Sequence, residues 1–136
     1  MAVEISGRYT GDLKMELRHG PSGQPLTTAA PRDNMGDGSS YSPTDLLAAS
    51  LGSCMVTTMA IVARREGIPF DRAEFVLEKH MTAAPPRRVD ALPVTIRLSA
   101  SLEPEQREKL EAAARGCPVH HSLLPEIQRD VRFIYE

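Results

Sequence analysis

The fold is decided by residues 42–66, which read SPTDLLAASLGSCMVTTMAIVARRE. This stretch predicts one long helix. Ser42 suits the N-cap, Pro43 suits the first helical position, and Asp45 follows where it completes a capping box. Gly67 comes next as a C-terminal stop. Apolar residues lie on most of the helix circumference, so we expect the helix to be covered on nearly every side.

The same helix raises the question of a membrane span, because residues 46–63 carry no charge. Its length and the Arg64–Arg65 pair that follows suit a spanning helix. Its interior, however, contains a glycine and several hydroxyl residues, and the chain has no other strong core element. We therefore predict a helix buried inside a soluble protein, with no membrane partner.

The segments on either side of the helix give an α+β order. Residues 2–19 alternate as short strands, with Leu13, Met15 and Leu17 predicted on one face. Residues 20–42 form a long loop with one short strand near 26–28. Later segments are predicted as strands at 70–82, 93–101 and 129–135, a polar helix at 103–115, and a short helix from 117 to about 124. This order is typical of an α+β fold, and 136 residues suit a single domain, 1–136.

Composition narrows the function further. Hydrophobic residues make up 41%, charged residues 25%, and the net charge is −2, which indicates a soluble globular protein. The near-neutral charge and the scarcity of aromatic residues (Tyr 3, Phe 3, Trp 0) disfavour nucleic-acid binding. The N-terminus shows no basic segment followed by an apolar one. We therefore expect no secretory signal and a cytoplasmic location.

The chain has two cysteines, Cys54 and Cys117. In the cytosol a structural disulfide is disfavoured, so such residues are either small buried hydrophobic groups or reactive thiols. Cys54 lies in mid-helix, beyond the reach of the helix dipole, so reactivity there needs a cation from elsewhere. Cys117 lies at the start of a short helix, with His120 one turn on. His120 and His121 fit a surface pair better than a catalytic or metal site, because no further ligand falls at standard spacing.

The segments SPTDLLAASLGSC (42–54) and GCPVHHSL (116–123) together resemble the OsmC/Ohr family of small bacterial thiol-dependent peroxidases. The resemblance covers nearly the whole chain. It implies an OsmC-like fold with antiparallel sheets packed around a long central helix, in an intertwined homodimer with an active site at the subunit interface. No cofactor and no metal are expected.

The resemblance also implies roles for particular residues. Cys54 would be the peroxidatic thiol, which a hydroperoxide oxidises to a sulfenic acid, and Cys117 would resolve that acid as a disulfide. A dithiol reductant would restore the pair. An arginine from the N-terminal loop would stabilise the thiolate; Arg32 lies in the matching loop, and Arg18 is the alternative. The apolar residues expected to favour organic hydroperoxides are Leu51, Met55 and Met59.

One position departs from the family pattern. The peroxidases usually carry a glutamate ten residues before the first cysteine, where it holds the arginine, and this chain has Thr44 there. The neighbouring Asp45 falls on the opposite side of the helix from Cys54, so it is better explained as a capping residue. This departure favours a second hypothesis, an OsmC-like binding or redox-sensing protein. Such a protein would hold a small apolar thiol or acyl ligand with little turnover.

Overall fold

A computed structural model describes all 136 residues, and its longest element is the helix α1, Pro43–Glu66. The predicted capping box is present at its start. The Ser42 backbone N–H donates to Asp45 Oδ2 at 2.9 Å, and the Asp45 N–H donates to Ser42 Oγ at 3.1 Å. Gly67 follows the last helical residue with φ +69, a left-handed conformation that suits glycine. Both predicted ends of α1 are therefore confirmed.

The chain forms two compact units, residues 1–47 and 48–136, and the prediction of a single domain stays a prediction. The first unit contains an antiparallel sheet in the order β1-β2-β3 and a short 3-10 helix, Arg32–Asn34. The strands are β1 (Ile5–Gly11), β2 (Lys14–His19) and β3 (Pro25–Ala29). The strand predicted near residues 26–28 is thus confirmed as β3.

The turn between β1 and β2 corrects one detail of the predicted pattern. Asp12 and Leu13 have φ values of 55 and 61, as a two-residue hairpin turn requires to match the twist of its strands. Leu13 therefore belongs to the turn and is 45% exposed. Its predicted position on an apolar strand face with Met15 and Leu17 was wrong.

The second unit holds the rest of α1, two sheets and two shorter helices. One sheet has the order β4-β7-β8, and the other pairs β5 with β6. The elements are β4 (Ala73–Leu77), β5 (His80–Met81), β6 (Val89–Ala91), β7 (Val94–Leu98), α2 (Pro104–Arg115), α3 (Pro118–Ser122) and β8 (Val131–Tyr135). The segment 70–82 is two strands rather than the single strand predicted, and β6 was not predicted.

The α+β class is confirmed, and all but one of the strand pairs are antiparallel. The exception is β8, which runs parallel to β7. Two helices connect these strands, and such a connection returns the chain to the end of the sheet where the first strand began. The core of this unit lies where the inward side chains of β7 meet α1 and α2. The β7 members are Val94, Ile96 and Leu98, none more than 2% exposed.

Helix α1 packs only part of its apolar surface within its own chain. By length and composition it could cross a membrane, a criterion that the core helix of a soluble protein also meets, and 33% of its most apolar 18-residue window is buried. Ala63 and three larger residues that precede it are buried. Leu47 and Ile61 are 38% and 52% exposed. The helix therefore has apolar side chains that its own chain leaves uncovered.

Candidate active site

The two cysteines meet within residues 48–136. Cys54 lies on α1 and is half-buried, whereas Cys117 is fully buried; both are free thiols. The Cys54 side chain packs against the core cluster that contains Cys117, and its thiol is close enough to raise the pKa of the Cys117 thiol. The structure therefore brings together the two residues that the sequence separates by more than sixty positions.

Local sequence explains the position of Cys117. Gly116 ends α2 and Pro118 begins α3, so the residue between them has extended backbone, φ −67 and ψ 148, and serves as the N-cap of α3. Its Sγ accepts a hydrogen bond from the backbone N–H of His120 at 3.3 Å. The predicted short helix and its cysteine N-cap are confirmed, although α3 ends at Ser122, two residues earlier than predicted.

The surroundings of Cys117 keep it protonated. Burial raises the pKa of its thiol, and the neighbouring Cys54 thiol raises that pKa further. The backbone N–H groups of His120 and Val119 act in the opposite direction without reversing the rise. Cys117 is therefore a neutral thiol at neutral pH.

The surroundings of Cys54 differ from the expectation. The side chains of Leu51, Met55 and Met59 are 0% exposed and belong to the core, so their predicted role as an open apolar lining was wrong. Thr58 Oγ1 lies 3.9 Å from the Cys54 sulfur, one helical turn on. Ile61, an exposed apolar side chain on this face of α1, lies about two turns from Cys54.

The histidine pair is asymmetric. His121 is exposed, as a surface pair requires, but His120 is half-buried, and its Nδ1 is buried without a hydrogen-bond partner. Burial lowers the pKa of His120, and the charges of Arg129 and His121 lower it further, so the imidazole is neutral at pH 7. The interpretation as a surface pair is therefore wrong for His120. No group of three or more His, Cys, Asp or Glu side chains is arranged to hold a metal ion.

Arg129 was not predicted as part of this region. Its guanidinium donates to the carbonyls of His120 at 2.6 Å, Leu124 at 3.1 Å and Ile127 at 3.0 Å. These three hydrogen bonds fix the end of α3 and the turn that follows it. The sequence gives no motif for this role, because the three carbonyls converge only in the folded chain.

The two candidate arginines lie in the first unit. Arg32 is exposed, and its Nε donates to the backbone carbonyl of Asp37 at 3.2 Å, which leaves the two terminal nitrogens of the guanidinium available to another group. Arg18 lies on β2, with one terminal nitrogen 3.7 Å from Glu16 Oε1. The role of either arginine toward Cys54 stays a prediction.

The loop that carries Arg32 has its own anchor. The Asp37 carboxylate accepts a hydrogen bond from the Ser39 N–H at 3.0 Å and lies 3.0 Å from Lys14 Nζ. Hydrogen bonds from Ser39 and Lys14 lower the pKa of Asp37 to about 2. This ionised side chain ties the loop after the 3-10 helix to β2.

Comparison with known proteins identifies the family. The chain belongs to the OsmC-like protein family, whose model matches residues 36–132. It is 36% identical to a proposed osmotic stress induced and detoxification response protein from Psychrobacter arcticus 273-4, over 95% of this chain and 93% of that one, with a TM-score of 0.89. No curated protein sequence matches the chain.

More distant solved structures share the fold. An organic hydroperoxide resistance protein OsmC from Legionella pneumophila is 18% identical, over 98% of this chain and 97% of that one, with a TM-score of 0.78. A proposed organic hydroperoxide resistance protein from Vibrio cholerae, with captopril bound in one of its active sites, is 17% identical. That match covers 98% of this chain and 91% of the other, with a TM-score of 0.77. At these identities the comparison establishes the fold.

Proposed function

We propose that this protein is a thiol-dependent peroxidase that reduces organic hydroperoxides through Cys54 and Cys117. The observation that carries the proposal is the proximity of two free thiols of unequal exposure. Cys54 is half-buried and accessible to a small molecule, whereas Cys117 is fully buried, with Cys54 as its thiol neighbour. This difference in exposure suits a mechanism in which the hydroperoxide oxidises Cys54, and Cys117 then reacts only with the oxidised Cys54.

The chemistry proceeds in two balanced steps. The Cys54 thiolate attacks the distal oxygen of the hydroperoxide and the O–O bond breaks. The departing alkoxide takes up the proton that the thiol had released, so the products are a sulfenic acid and an alcohol. The Cys117 sulfur then attacks the sulfenic sulfur and forms a disulfide, with release of water. A dithiol reductant returns both residues to the thiol state. The family membership and the names of the fold relatives support this assignment.

Arg32 is the proposed activator of Cys54, with Arg18 as the alternative. A guanidinium stabilises a nearby thiolate because it favours the charged form of the sulfur. The free terminal nitrogens of Arg32 suit this role better than the guanidinium of Arg18, which already lies beside Glu16.

We also propose that the protein is a homodimer in the reducing cytoplasm. A second copy would cover apolar side chains that each unit leaves exposed, among them Ile5 at 66%, Leu26 at 42% and Ile61 at 52%. The first unit also carries an apolar groove of about 670 Å³ that Ile5, Leu17 and Leu26 help to line. A reducing compartment keeps both cysteines available as thiols.

Stopped-flow kinetics with cumene hydroperoxide test the peroxidase activity. We expect the reduced protein to consume the peroxide much faster than free cysteine at the same pH, and faster than it consumes hydrogen peroxide. Cys54→Ser should abolish the reaction, and Arg32→Ala should slow it while the matched Arg18→Ala does not. A rate no greater than that of free cysteine would contradict the proposal.

The second candidate function is a binding or redox-sensing protein with little turnover. Thr44 favours it, since the family's peroxidases carry a glutamate at this position, and the Thr44 hydroxyl lies 3.3 Å from Ser42 Oγ within the helix cap. Thr44→Glu separates the two functions. A large gain in peroxide consumption would indicate that the natural chain is a weak peroxidase, whereas an unchanged high rate would exclude this second function.

A further inference from the structure

The proximity of the two cysteines raises the question of which group accepts the Cys117 proton. Cys117 must attack Cys54 as a nucleophile, yet burial and the neighbouring thiol raise the pKa of Cys117. A thiol is a poor nucleophile compared with its thiolate. The sulfur is 0% exposed, so bulk water does not reach it to accept the proton. A protein group near Cys117 must therefore take that proton for the step to be fast.

His120 is the titratable side chain best placed for this task. Its backbone N–H already donates to the Cys117 sulfur at 3.3 Å. The imidazole Nδ1 is four covalent bonds from the backbone nitrogen that makes this contact, and it is buried on the same residue. The Arg129 guanidinium holds the His120 carbonyl at 2.6 Å, so the backbone that carries the imidazole is fixed.

The protonation state of the His120 imidazole also suits a proton acceptor. A buried ring nitrogen without a hydrogen-bond partner costs free energy. Such a nitrogen is uncommon in folded proteins, and a catalytic role is one explanation for it. A neutral imidazole has one nitrogen able to accept a proton. The charged or titratable groups around it are Arg129 on the turn before β8, His121 on α3, Cys117 at the N-cap, and Cys54 on α1 beyond Cys117. None of them is a carboxylate that would hold the imidazole protonated.

We propose that His120 accepts the thiol proton of Cys117 as this residue attacks Cys54. The inference deepens the proposed function, on which it rests for its physiological setting. The Cys117 S–H bond breaks, its electron pair forms the S–S bond, and the S–O bond of the Cys54 sulfenic acid breaks. The proton passes from Cys117 to His120 and then to the departing hydroxide, which leaves as water. The hydroperoxide that formed the sulfenic acid is the oxidant, so atoms and electrons balance.

The test uses the aromatic disulfide 5,5′-dithiobis(2-nitrobenzoate) and the reduced full-length protein. Cys54 reacts first and releases one thionitrobenzoate anion, and Cys117 then attacks the mixed disulfide and releases a second. The second phase therefore reports the Cys117 step whether or not the protein reduces peroxides. Cys117→Ser, which should show the first phase only, assigns the two phases. His120→Gln is compared with His121→Gln, the same change at the exposed neighbour.

We expect His120→Gln to slow the second phase at least tenfold at pH 7 and to leave the first phase unchanged, since a general base contributes about 10²- to 10⁴-fold. His121→Gln should change neither phase. In the natural chain the second phase should be flat through neutral pH and fall only when acid protonates His120. In His120→Gln it should rise about tenfold per pH unit as the thiolate forms, and added imidazole should accelerate it.

A second phase in His120→Gln with the natural rate and pH dependence would overturn the inference. An equal slowing of both phases would also overturn it, because it would indicate a structural role only; His120→Asn provides a second variant if the first folds poorly. Failure of the proposed peroxidase activity would be recognised separately, as normal release of both thionitrobenzoate anions without consumption of cumene hydroperoxide.

Discussion

Gly52→Ala tests the packing that places α1 against its sheet. Gly52 is buried on α1, and the Phe75 ring of β4 occupies the space that a side chain would need. A Cβ at this position would lie against Cδ2 and Cε2 of that ring and 2.8 Å from its Cζ. Real Cβ atoms essentially never approach a neighbour this closely, so the ring or the helix must move.

Two opposing effects set the magnitude. Alanine is better than glycine in a helix interior by about 1 kcal/mol, so the sequence alone predicts that Gly52→Ala stabilises the protein. Overpacking a core costs about 1–3 kcal/mol, and three ring atoms in conflict place Gly52→Ala near the upper end of this range. The expected result is a net loss of about 2 kcal/mol in the free energy of unfolding.

Urea unfolding at one fixed protein concentration measures the change. Gly116→Ala is the matched control, because its Cβ would lie 3.4 Å from the nearest atom, the Ala112 carbonyl oxygen, an ordinary contact. A double-mutant cycle with Phe75→Leu should recover part of the loss, since the smaller side chain leaves room for the new methyl group. Stabilisation by Gly52→Ala, or a loss that Phe75→Leu leaves unchanged, would refute the described packing.

Two further predictions concern the helix cap and the buried thiol. Ser42→Ala removes the acceptor for the Asp45 N–H and should lower the free energy of unfolding by about 1 kcal/mol in urea, whereas an unchanged midpoint would argue against the cap. Because the folded chain raises the pKa of Cys117, the protonated thiol favours the folded state. This contribution to stability is complete below the ordinary thiol pKa of about 8.5 and is lost as the pH rises through the pKa of the folded state. Cys117→Ala should lack this alkaline loss in a pH series of urea unfolding; an identical pH dependence would contradict it.

The helices could be predicted because their signals are local. Ser42, Asp45 and Gly67 mark the ends of α1 through hydrogen bonds and backbone angles that involve only near neighbours in sequence. The same reasoning located α2 and the cysteine cap of α3 to within two residues. The strand predicted at 93–101 likewise contains β7.

The features that escaped prediction depend on distant parts of the chain. The strand β6 has only three residues, too few for an alternating pattern that would predict a strand. It forms because it pairs with β5. The parallel pairing of β8 with β7 follows from the path of the chain through two helices. Arg129 acquires its role only because three carbonyls converge on it.

The candidate site was predicted in part. The long apolar pattern placed Cys54 on a helix, and Gly116 and Pro118 placed Cys117 at a cap, but only the family resemblance joined the two cysteines. The helix pattern also could not decide which apolar side chains face the core, and so Met55 and Met59 were assigned to the site although both are fully buried.

The most direct measurement of the central claim is peptide mapping of the reduced protein after one equivalent of cumene hydroperoxide. We predict a single new species, a disulfide between Cys54 and Cys117 that forms faster than free cysteine is oxidised, with a trappable sulfenic acid at Cys54 in the Cys117→Ser variant. Unchanged thiols at both positions, or oxidation of Cys54 that never proceeds to the disulfide, would contradict the account.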